Sequence, residues 1–350
     1  MSDPQSIEPA SSAAPALRPD AQLLQLIFGM FVSRAVGVAA ALGIADLLKD
    51  GPMGLKELAR RSESNPDALY RVLRALVATG VFEMHAEQRF ANNELSTFLR
   101  ADVAGSVRAS ALWFSDVSGW TAWGRLDHSV RTGKPAFEEV FGKDCFTWLE
   151  RHPASFAIFQ QAMTELSAAS GHAVATAYDF STVRKLVDVG GGHGTLLSLI
   201  IDRFPNLEGV LFDRSEVIEG AREVLNRGRH AADIETVAGD FFESVPRGAD
   251  AYLLKHILHD WDDEQCIRLL SQCRRAMAAA GRVLIVEFVL SERPEATMTK
   301  WIDLEMLVMT SGGRERTEQE FSALLARAGL RLARLIPTEA PVSVLEAFAG

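Results

Sequence analysis

Residues 185–195 read KLVDVGGGHGT, and this stretch decides the fold of the second half of the chain. A short apolar run leads into a cluster of glycines, and leucines and isoleucines follow at helical spacing over 196–201. This order predicts a buried strand, a tight turn and the start of a helix. Glycine is needed where the backbone turns with positive φ or where a ligand touches the main chain, and the N–H groups of a new helix point into the same space. The turn is therefore suited to holding a ligand against bare backbone.

The spacing of the glycines narrows the class of ligand. The dinucleotide pattern G-x-G-x-x-G fits poorly, because Thr195 occupies its third glycine position, and no Gly-Lys-Ser/Thr follows to make a phosphate-binding loop. Gly190, Gly192 and Gly194 alternate, with Asp188 two residues before the first of them. This D-x-G-x-G-x-G spacing resembles motif I of the S-adenosylmethionine-dependent methyltransferases. A glycine-rich turn without a ligand is the alternative at this point.

Strands and helices alternate from residue 184 onward. The predicted strands are Lys185–Val189, Gly209–Asp213, Ile234–Ala238, Ala251–His256 and Arg282–Leu290, with helices such as Glu216–Leu225 and Asp263–Ala278 between them. This rhythm predicts a doubly wound, mostly parallel sheet. The last two strands, Leu330–Leu335 and Val342–Phe348, are expected to pair antiparallel at one edge. The fold class is therefore α/β, a Rossmann-like seven-stranded sheet of the class I methyltransferase pattern over residues 179–350.

Length and charge exclude several classes of protein. The 350 residues predict two domains, and the net charge of −10 argues against a nucleic-acid footprint or binding to an acidic membrane surface. No run of about 18 uncharged apolar residues occurs, so no transmembrane helix is expected. Residues 1–20 are interpreted as a disordered tail without a secretory signal. The three cysteines follow no metal or disulfide spacing, which indicates buried thiols in a cytoplasmic protein.

Residues 21–104 resemble a winged-helix domain in their order of elements. Ala21–Leu48 is apolar around more than one face and is interrupted by glycines, which favours a subunit interface over a core helix. A short helix, a helix capped by Asn65-Pro66-Asp67, and a hairpin of Val81–Met84 with Arg89–Ala91 follow. DNA binding is the functional alternative, but the domain has no dense basic stripe. Dimerisation is therefore the better interpretation.

Residues 105–178 are predicted to be a helical linker that contributes to a substrate pocket. Large apolar side chains are frequent there, and the segment lies between the two domains, where such pockets form. Most of these side chains are expected to be core. The candidates for the pocket are Trp113, Phe159 and Met163, together with Met306 and Met309 from a later segment.

Acidic residues follow the next two predicted strands. Asp213 ends the second strand, where an acid in a nucleotide-binding sheet accepts hydrogen bonds from ribose hydroxyls. Asp240 and Phe241 end the third strand, where they can contact an adenine amino group and ring. These strand ends share the carboxyl edge at which such folds bind ligands. The alternative, that both acids are only turn or cap residues, loses weight because the signals coincide.

The fourth strand continues into Lys255-His256-Ile257-Leu258-His259-Asp260-Trp261, which brings histidines and acids together. A metal site is an alternative, but the acids that follow open a helix, where they favour its positive end, so no metal is predicted. His259 is predicted to be a general base with a pKa near the reference of about 6.5. Glu287, late in the fifth strand, and Glu315, before a helix that Thr317 caps, are placed to orient it.

These motifs together resemble the small-molecule O-methyltransferase family of plants and bacteria, which includes caffeate-type enzymes and tailoring enzymes of phenazine, anthracycline, mitomycin and carotenoid pathways. The His-Asp-Trp and Gly-Gly-x-Glu-Arg-Thr motifs are specific to it, and the match covers the chain after the tail. The resemblance implies S-adenosyl-L-methionine as cofactor and a winged-helix dimerisation domain. Its cofactor contacts would be Gly190, Gly192, Asp213, Asp240, Phe241, Lys255 and Ser167. Its catalytic residues would be His259, Glu287, Glu315 and Asp260.

The sequence thus predicts a homodimeric, cytoplasmic O-methyltransferase that acts on a hydroxylated aromatic or polyketide-like small molecule, with neither nucleic acid nor membrane as partner. Two alternatives remain open. One is a relative that binds the cofactor but catalyses a non-methylating tailoring reaction, and the other is a winged-helix DNA-binding regulator.

Overall fold

The computed structural model describes residues 18–226, 234–291 and 298–350. Its first part contains α1 (Pro19–Ala41), α2 (Ile44–Leu47), β1 (Met53–Gly54), α3 (Leu55–Arg61), α4 (Pro66–Ala78), β2 (Phe82–His85), β3 (Arg89–Asn92) and α5 (Glu94–Thr97). The strands form a small antiparallel sheet in the order β1-β3-β2. The helix-and-hairpin order predicted here is present, while the winged-helix assignment stays a prediction. The predicted tail lies outside the described residues up to residue 17, and α1 already begins at Pro19.

Helix α1 runs without a break through Gly29 and Gly37, which corrects the expectation that these glycines interrupt it. A Cβ at Gly37 would lie 1.9 Å from Ser115 Oγ, so the glycine allows a close crossing with the next helical segment. The helix ends before Gly43, whose φ is 62°. All of residues 22–34 are exposed in the single chain. The apolar side chains of this half of α1 therefore do not pack into the core of their own chain.

Helix α1 is also long and apolar enough to cross a membrane, judged by length and composition alone. The sequence expectation rested on a stricter test, an uncharged apolar run of about 18 residues, which Arg34 interrupts within α1, so the absence of a transmembrane helix stays a prediction. In the structure the Arg34 guanidinium donates to the Ser115 carbonyl and lies 5.8 Å from the ring centroid of Trp120. The charge of Arg34 is thus bound by groups of its own folded chain.

A helical segment follows, with α6 (Arg108–Trp113), α7 (Val117–Trp123), α8 (Leu126–Thr132), α9 (Ala136–Phe141), α10 (Cys145–Glu150) and α11 (Pro153–Ala177). Helix α11 packs against α6 at one end and against the large sheet domain at the other. The Glu165 carboxylate on α11 accepts hydrogen bonds from the Ala109 and Ser110 N–H groups at 3.0 Å, at the start of α6. An acid at that helix start is favourable for the helix dipole. Helix α11 therefore connects the pocket segment to the sheet.

The large sheet comprises β4 (Lys185–Val189), β5 (Glu208–Asp213), β6 (Ile234–Ala238), β7 (Ala251–Lys255), β8 (Arg282–Phe288), β9 (Leu330–Pro337) and β10 (Val342–Ala349). Its order is β6-β5-β4-β7-β8-β10-β9, and β10 pairs antiparallel with both β8 and β9. The helices between the strands are α12 (Thr195–Arg203), α13 (Ser215–Asn226), α14 (Asp263–Ala276), α15 (Met298–Met309) and α16 (Glu318–Arg327). The predicted parallel sheet with a final antiparallel hairpin is confirmed.

Two apolar clusters cover the faces of this sheet. Helices α14 and α16 supply the cluster on one face, and α11, α12 and α13 supply the other. Strands β4 and β7 are buried, as expected for central parallel strands. The thiols of Cys145, Cys266 and Cys273 are free and buried, as predicted. Because β4 to β7 run parallel, their carboxyl ends meet at one edge, which carries the candidate site.

Candidate active site

The glycine turn after β4 leaves the strand with positive φ at Gly190 (69°), Gly192 (58°) and Gly194 (73°). A Cβ at Gly190 would lie 2.5 Å from Ile257 Cδ1, so this position requires glycine. A Cβ at Gly192 would meet no atom within 4 Å among the described residues, so the bare main chain faces open space there. Phe241 borders the turn, with a ring carbon 3.7 Å from the Cβ position of Gly190. The turn has room for a ligand against its backbone.

The acids at the next two strand ends differ in their surroundings. Asp213 Oδ2 accepts the Gly192 N–H at 2.9 Å, and its Oδ1 accepts the Arg214 N–H at 2.7 Å. Burial raises the pKa of Asp213, and these two hydrogen bonds oppose the shift. Asp240 is exposed at the end of β6, where its Oδ1 accepts the Phe242 N–H at 2.7 Å. Asp213 is therefore fixed against the glycine turn, and Asp240 lies open beside Phe241.

Polar groups from two elements meet behind the turn. Lys255, at the end of β7, donates from Nζ to Ser167 Oγ on α11 at 3.1 Å. Burial lowers the pKa of Lys255 to about 8, and the carboxylates of Glu287 and Asp188 oppose the shift. Burial also raises the pKa of Asp188 to about 7, against the charge of Lys255. The predicted contacts Lys255 and Ser167 are thus neighbours. Asp188, whose charge acts on Lys255, lies two residues before the glycine turn.

His259 lies in a one-turn helix, Leu258–Asp260, just beyond the end of β7. Its Nδ1 is 2.8 Å from Glu315 Oε1 and 3.6 Å from Glu287 Oε2. Its Nε2 is 3.7 Å from Asp260 Oδ1. The hydrogen bond to Glu315 places a proton on Nδ1 and leaves Nε2 to face the side of Asp260. The structure therefore brings the four predicted catalytic residues together, and Glu315 is the direct partner of the ring.

Glu287 holds the backbone of the His259 turn. Its Oε1 accepts the N–H groups of Ile257 and Leu258 at 3.0 Å and of His259 at 3.4 Å. Its Oε2 is 3.2 Å from Nδ1 of His256, whose φ of 52° turns the chain out of β7. His256, the last residue of the predicted strand Ala251–His256, is therefore a turn residue. The two acids predicted to bracket His259 have different partners. Glu315 orients the ring, and Glu287 orients the main chain.

The ionisation of His259 differs from the sequence expectation. Burial opposes its charged form, but the carboxylates of Glu287, Asp260 and Glu315 outweigh burial and raise the pKa of His259 to about 10. Burial raises the pKa of Asp260 to about 7, and it raises that of Glu315 too, whereas the charge of His259 keeps the pKa of Glu287 below its usual value. The sequence analysis placed Glu287 and Glu315 beside this ring but predicted a pKa near 6.5, and the structure differs because the charges of these two acids and of Asp260 add at the ring.

The turn that carries His259 is also held by Arg316, which the sequence analysis did not select. Its guanidinium is 1% exposed, and it donates to the carbonyls of Leu258 at 2.8 Å and Trp261 at 2.9 Å. It also pairs with Asp263 Oδ1 at 2.8 Å. The sequence feature that could have pointed to Arg316 is its position next to Glu315 in the Gly-Gly-x-Glu-Arg-Thr motif. Arg316 thus fixes both ends of the loop that presents the histidine.

Metal binding has a geometric basis in the described residues. His256, His259 and Glu287 each offer a ligand atom, and these atoms lie within 4.8 Å of one another. Glu287 Oε2 already lies 3.2 Å from His256 Nδ1, within hydrogen-bond distance, and 3.6 Å from His259 Nδ1. Neutral imidazole is the form that binds a metal, and the raised pKa of His259 opposes that form. The absence of a metal stays a prediction.

Aromatic rings connect the predicted substrate pocket to the cofactor side. Trp113 meets Phe159 with ring centroids 5.0 Å apart, and Phe159 meets Phe146 at 6.3 Å. Phe146 stacks on Trp261 at 5.8 Å, and Trp261 lies 6.1 Å from Phe241. The sequence analysis did not select Phe146 and Trp261, because nothing local shows that they meet.

The remaining predicted pocket residues divide into two groups. Met309 is buried in the cluster that contains Trp113, and Met163 packs against that cluster. Met306 is also buried, but it lies outside this cluster as the described residues define it. Trp113, Phe159, Met163 and Met309 thus share one apolar cluster, and their role in lining a pocket stays a prediction.

Comparison with known proteins now assigns the family. A model of the O-methyltransferase domain matches residues 123–331, and a model of the O-methyltransferase dimerisation domain matches residues 24–102. The chain belongs to the O-methyltransferase family. It is 41% identical over 325 residues to phenazine O-methyltransferase of Lysobacter antibioticus, a match that covers 93% of this chain and 95% of that protein.

Other matches agree. The chain is 41% identical over 324 residues to the mitomycin biosynthesis 6-O-methyltransferase of Streptomyces lavendulae, over 92% of both chains. A solved structure of human N-acetylserotonin methyltransferase in complex with S-adenosylmethionine superposes with a TM-score of 0.88 at 29% identity, over 97% of this chain and all of that one. The family resemblance, the class I methyltransferase fold and S-adenosylmethionine as the cofactor are thereby confirmed. The roles of individual residues stay predictions.

Proposed function

We propose that this O-methyltransferase methylates a hydroxyl group of an aromatic or polyketide-like small molecule, in bacterial secondary metabolism and in the cytoplasm. The observation that carries the proposal is the position of His259 and Glu315 on the same sheet edge as the glycine turn and Asp213. Relatives named for phenazine and mitomycin products support the substrate class. The buried aromatic rings beside the histidine are compatible with a flat apolar substrate.

The residues at this edge fit the cofactor. The main chain at Gly192 faces open space, and the Asp213 carboxylate beside it has capacity to accept ribose hydroxyls. The exposed Asp240 and the ring of Phe241 suit an adenine. When bound, S-adenosylmethionine supplies an electrophilic methyl group on a positively charged sulfur. We assign its contacts to Gly190, Gly192, Asp213, Asp240, Phe241, Lys255 and Ser167.

His259 serves as the base in this proposal. Glu315 holds the proton on Nδ1, so Nε2 is the atom that takes the proton of the substrate hydroxyl. The raised pKa makes the neutral imidazole a strong base, comparable with a phenolate, for which a pKa of about 10 is usual. The same shift leaves most of the histidine protonated at neutral pH, so activity is expected to rise with pH. A ring nitrogen as acceptor needs no base, and the His259–Glu315 pair therefore favours a hydroxyl.

Positioning supplies the rest of the acceleration. The loop that carries His259 is fixed by Glu287 and Arg316, which bond its N–H and carbonyl groups. A rigid base and a rigid aromatic wall hold the substrate oxygen in line for transfer, which removes much of the entropic part of the barrier. We place Trp113, Phe159, Met163, Met306 and Met309 in the substrate pocket. The sulfur of the cofactor loses its positive charge as the methyl group moves to oxygen, and apolar walls are compatible with this change.

The assembly we propose is a homodimer through helix α1. Residues 22–34 are exposed in the single chain, and Leu26 and Phe31 expose 77% and 61% of their surface. The family match to a dimerisation domain covers the same helix. Light scattering should find a dimer at low micromolar concentration, and a stable soluble monomer there would contradict the assembly. The double variant Leu26→Lys with Phe31→Lys should shift the protein toward monomer.

The test of the activity is methyl transfer itself. Protein incubated with S-adenosylmethionine labelled in the methyl group and a panel of phenols and naphthols should form labelled methyl ethers and S-adenosylhomocysteine. The panel includes ring-nitrogen acceptors without a hydroxyl, which should remain unmethylated. A folded protein that binds S-adenosylhomocysteine but methylates no hydroxyl would point to a relative that does not transfer methyl groups.

A further inference from the structure

Helix α15 carries a buried acid on an apolar face. Glu305, Val308 and Met309 are spaced i, i+3 and i+4, so their side chains lie on one face of the helix. Val308 and Met309 are buried in the aromatic cluster around Trp113 and Phe159. Glu305 is 9% exposed. A leucine is the ordinary residue for such a position, because burying a carboxyl group costs free energy unless it is hydrogen-bonded.

The Glu305 carboxyl group has one defined partner and further capacity. Trp123 Nε1, at the end of α7, donates to its Oε2. An ionised carboxylate offers about four acceptor positions on two oxygens, and one indole N–H fills one of them. Burial raises the pKa of Glu305, and the hydrogen bond from Trp123 opposes the shift. An amide or a hydroxyl at this position would hold Trp123 equally well, so the presence of a carboxyl group needs another explanation.

The position of Glu305 relative to the proposed base follows from Cys145, the first residue of α10. Burial raises the pKa of the Cys145 thiol, and the charges of Asp260 and Glu305 add to the shift. Asp260 Oδ1 is in turn 3.7 Å from His259 Nε2. The next residue, Phe146, stacks on Trp261 beside the same loop. Cys145 is buried in the same apolar cluster as Val308 and Met309, so the face of α15 that carries Glu305 packs on the aromatic wall that continues through Phe146 to Trp261, in the loop of His259.

We propose that Glu305 is a specificity-determining residue that accepts a hydrogen bond from a second donor group of the substrate, located away from the hydroxyl that is methylated. This inference rests on the proposed function. The substrate class is thereby narrowed to hydroxylated aromatics that carry a further amino or hydroxyl group. A site that hydrogen-bonds such a group discriminates strongly against analogues that lack it, because its own buried polar group is then left unpaired.

The experiment compares matched substrates. The assay measures kcat/KM for 1-naphthol, its amino derivatives, the dihydroxynaphthalenes and the corresponding methoxy-1-naphthols. The methoxy group of the last series accepts a hydrogen bond at the second position but does not donate one. Their Kd for the protein loaded with S-adenosylhomocysteine is measured in parallel. The wild-type protein should prefer at least one donor-bearing naphthol over its methoxy analogue by about tenfold or more. Comparison of the amino-substituted with the dihydroxy substrates identifies the donor group that Glu305 binds.

Three variants separate recognition from packing. Glu305→Leu should reduce the donor preference to near unity in both kcat/KM and Kd, and Glu305→Gln, which keeps the shape and one acceptor oxygen, should retain part of it. Trp123→Phe keeps a ring but removes the indole donor, and it should keep the preference. The inference is overturned if the wild type binds donor and methoxy analogues alike, if the folded Glu305→Leu variant keeps the preference, or if Trp123→Phe loses it equally. Failure of the wild type to methylate any naphthol, while the Kd preference holds, would instead count against the proposed function.

Discussion

The two sides of the active-site edge are built in different ways. The proposed cofactor side lies mostly within residues 188–241, as main chain at a glycine turn with one acid at each of the next two strand ends, and Lys255 and Ser167 join it from β7 and α11. The proposed substrate side takes Trp113 from α6, Phe159 from α11 and Met309 from α15, and Phe146 of α10 packs beside them. One side is set by backbone geometry within a short stretch, and the other is set by side chains that only the tertiary fold brings together.

The loop at 255–261 joins these two sides. Lys255 donates to Ser167, another proposed cofactor contact, and Trp261 packs against both Phe241, a proposed cofactor contact, and Phe146 of the aromatic cluster. His259 lies between Lys255 and Trp261 in this loop, and the Glu315 carboxylate holds its ring. The comparison therefore predicts that separate groups bind the cofactor and transfer the proton. Variants on either side should therefore change one property and spare the other.

The largest expected effect is on His259. We predict that His259→Ala or His259→Gln lowers kcat by about 10²–10⁴, the usual contribution of general base catalysis. The affinity for S-adenosylhomocysteine should stay within error, because Asp213 and the glycine turn are unchanged. Steady-state kinetics at a pH where the substrate hydroxyl remains protonated, with calorimetry on the same preparations, makes the measurement. Near-normal turnover would remove His259 from the mechanism.

The neighbouring histidine is the matched control. Burial lowers the pKa of His256 to about 3, so this ring stays neutral at working pH and can donate from Nδ1 to Glu287. His256→Gln keeps an N–H donor and should cost much less in kcat than the changes at His259. If His256→Gln were the inactive variant, the base would have to be reassigned to the end of β7.

The cofactor side could be predicted from the sequence because its parts are local. A glycine required by positive φ, such as Gly190, is visible in one sequence, and so is an acid such as Asp213 at the end of an apolar strand. The pKa of His259 could not be predicted in the same way. It depends on three carboxylates, of which Glu287 and Glu315 lie 28 and 56 residues away in the chain.

A smaller effect is expected on the proposed cofactor side, where a change of Asp213 should lower the affinity for the cofactor product. Asp213→Ala should weaken binding of S-adenosylhomocysteine by about 1–3 kcal/mol through the loss of charge-assisted hydrogen bonds. The acid limb of the kcat/KM profile should keep its position, because Asp213 is not among the groups that set the pKa of His259. Calorimetry on a variant shown to be folded gives the affinity. Unchanged affinity would place Asp213 outside the cofactor site.

The substrate side shows where a single sequence stops being informative. Phe146 and Trp261 are 115 positions apart and Trp123 and Glu305 are 182 apart, and no local pattern marks either pair as a contact. Arg316 illustrates the same limit, since a buried arginine that bonds the carbonyls of Leu258 and Trp261 looks like any other charge in the sequence. Helical periodicity predicts that such residues are buried, but not what they meet.

The smallest expected effect sharpens the comparison through pH. The carboxylate of Glu315 favours the protonated form of His259, so Glu315→Gln should lower the pKa of His259 and move the acid limb of the kcat/KM profile to lower pH. Because the glutamine oxygen still accepts from Nδ1, the rate at the pH optimum should fall by only about tenfold, which corresponds to about 1.4 kcal/mol, the size of one ordinary hydrogen bond. Affinity for S-adenosylhomocysteine should not change. Glu318→Gln, at an exposed acid of the same segment, is the control and should leave the profile in place. An acid limb that stays fixed in Glu315→Gln but moves in Asp260→Asn would make Asp260, rather than Glu315, the acid that sets the strength of the base.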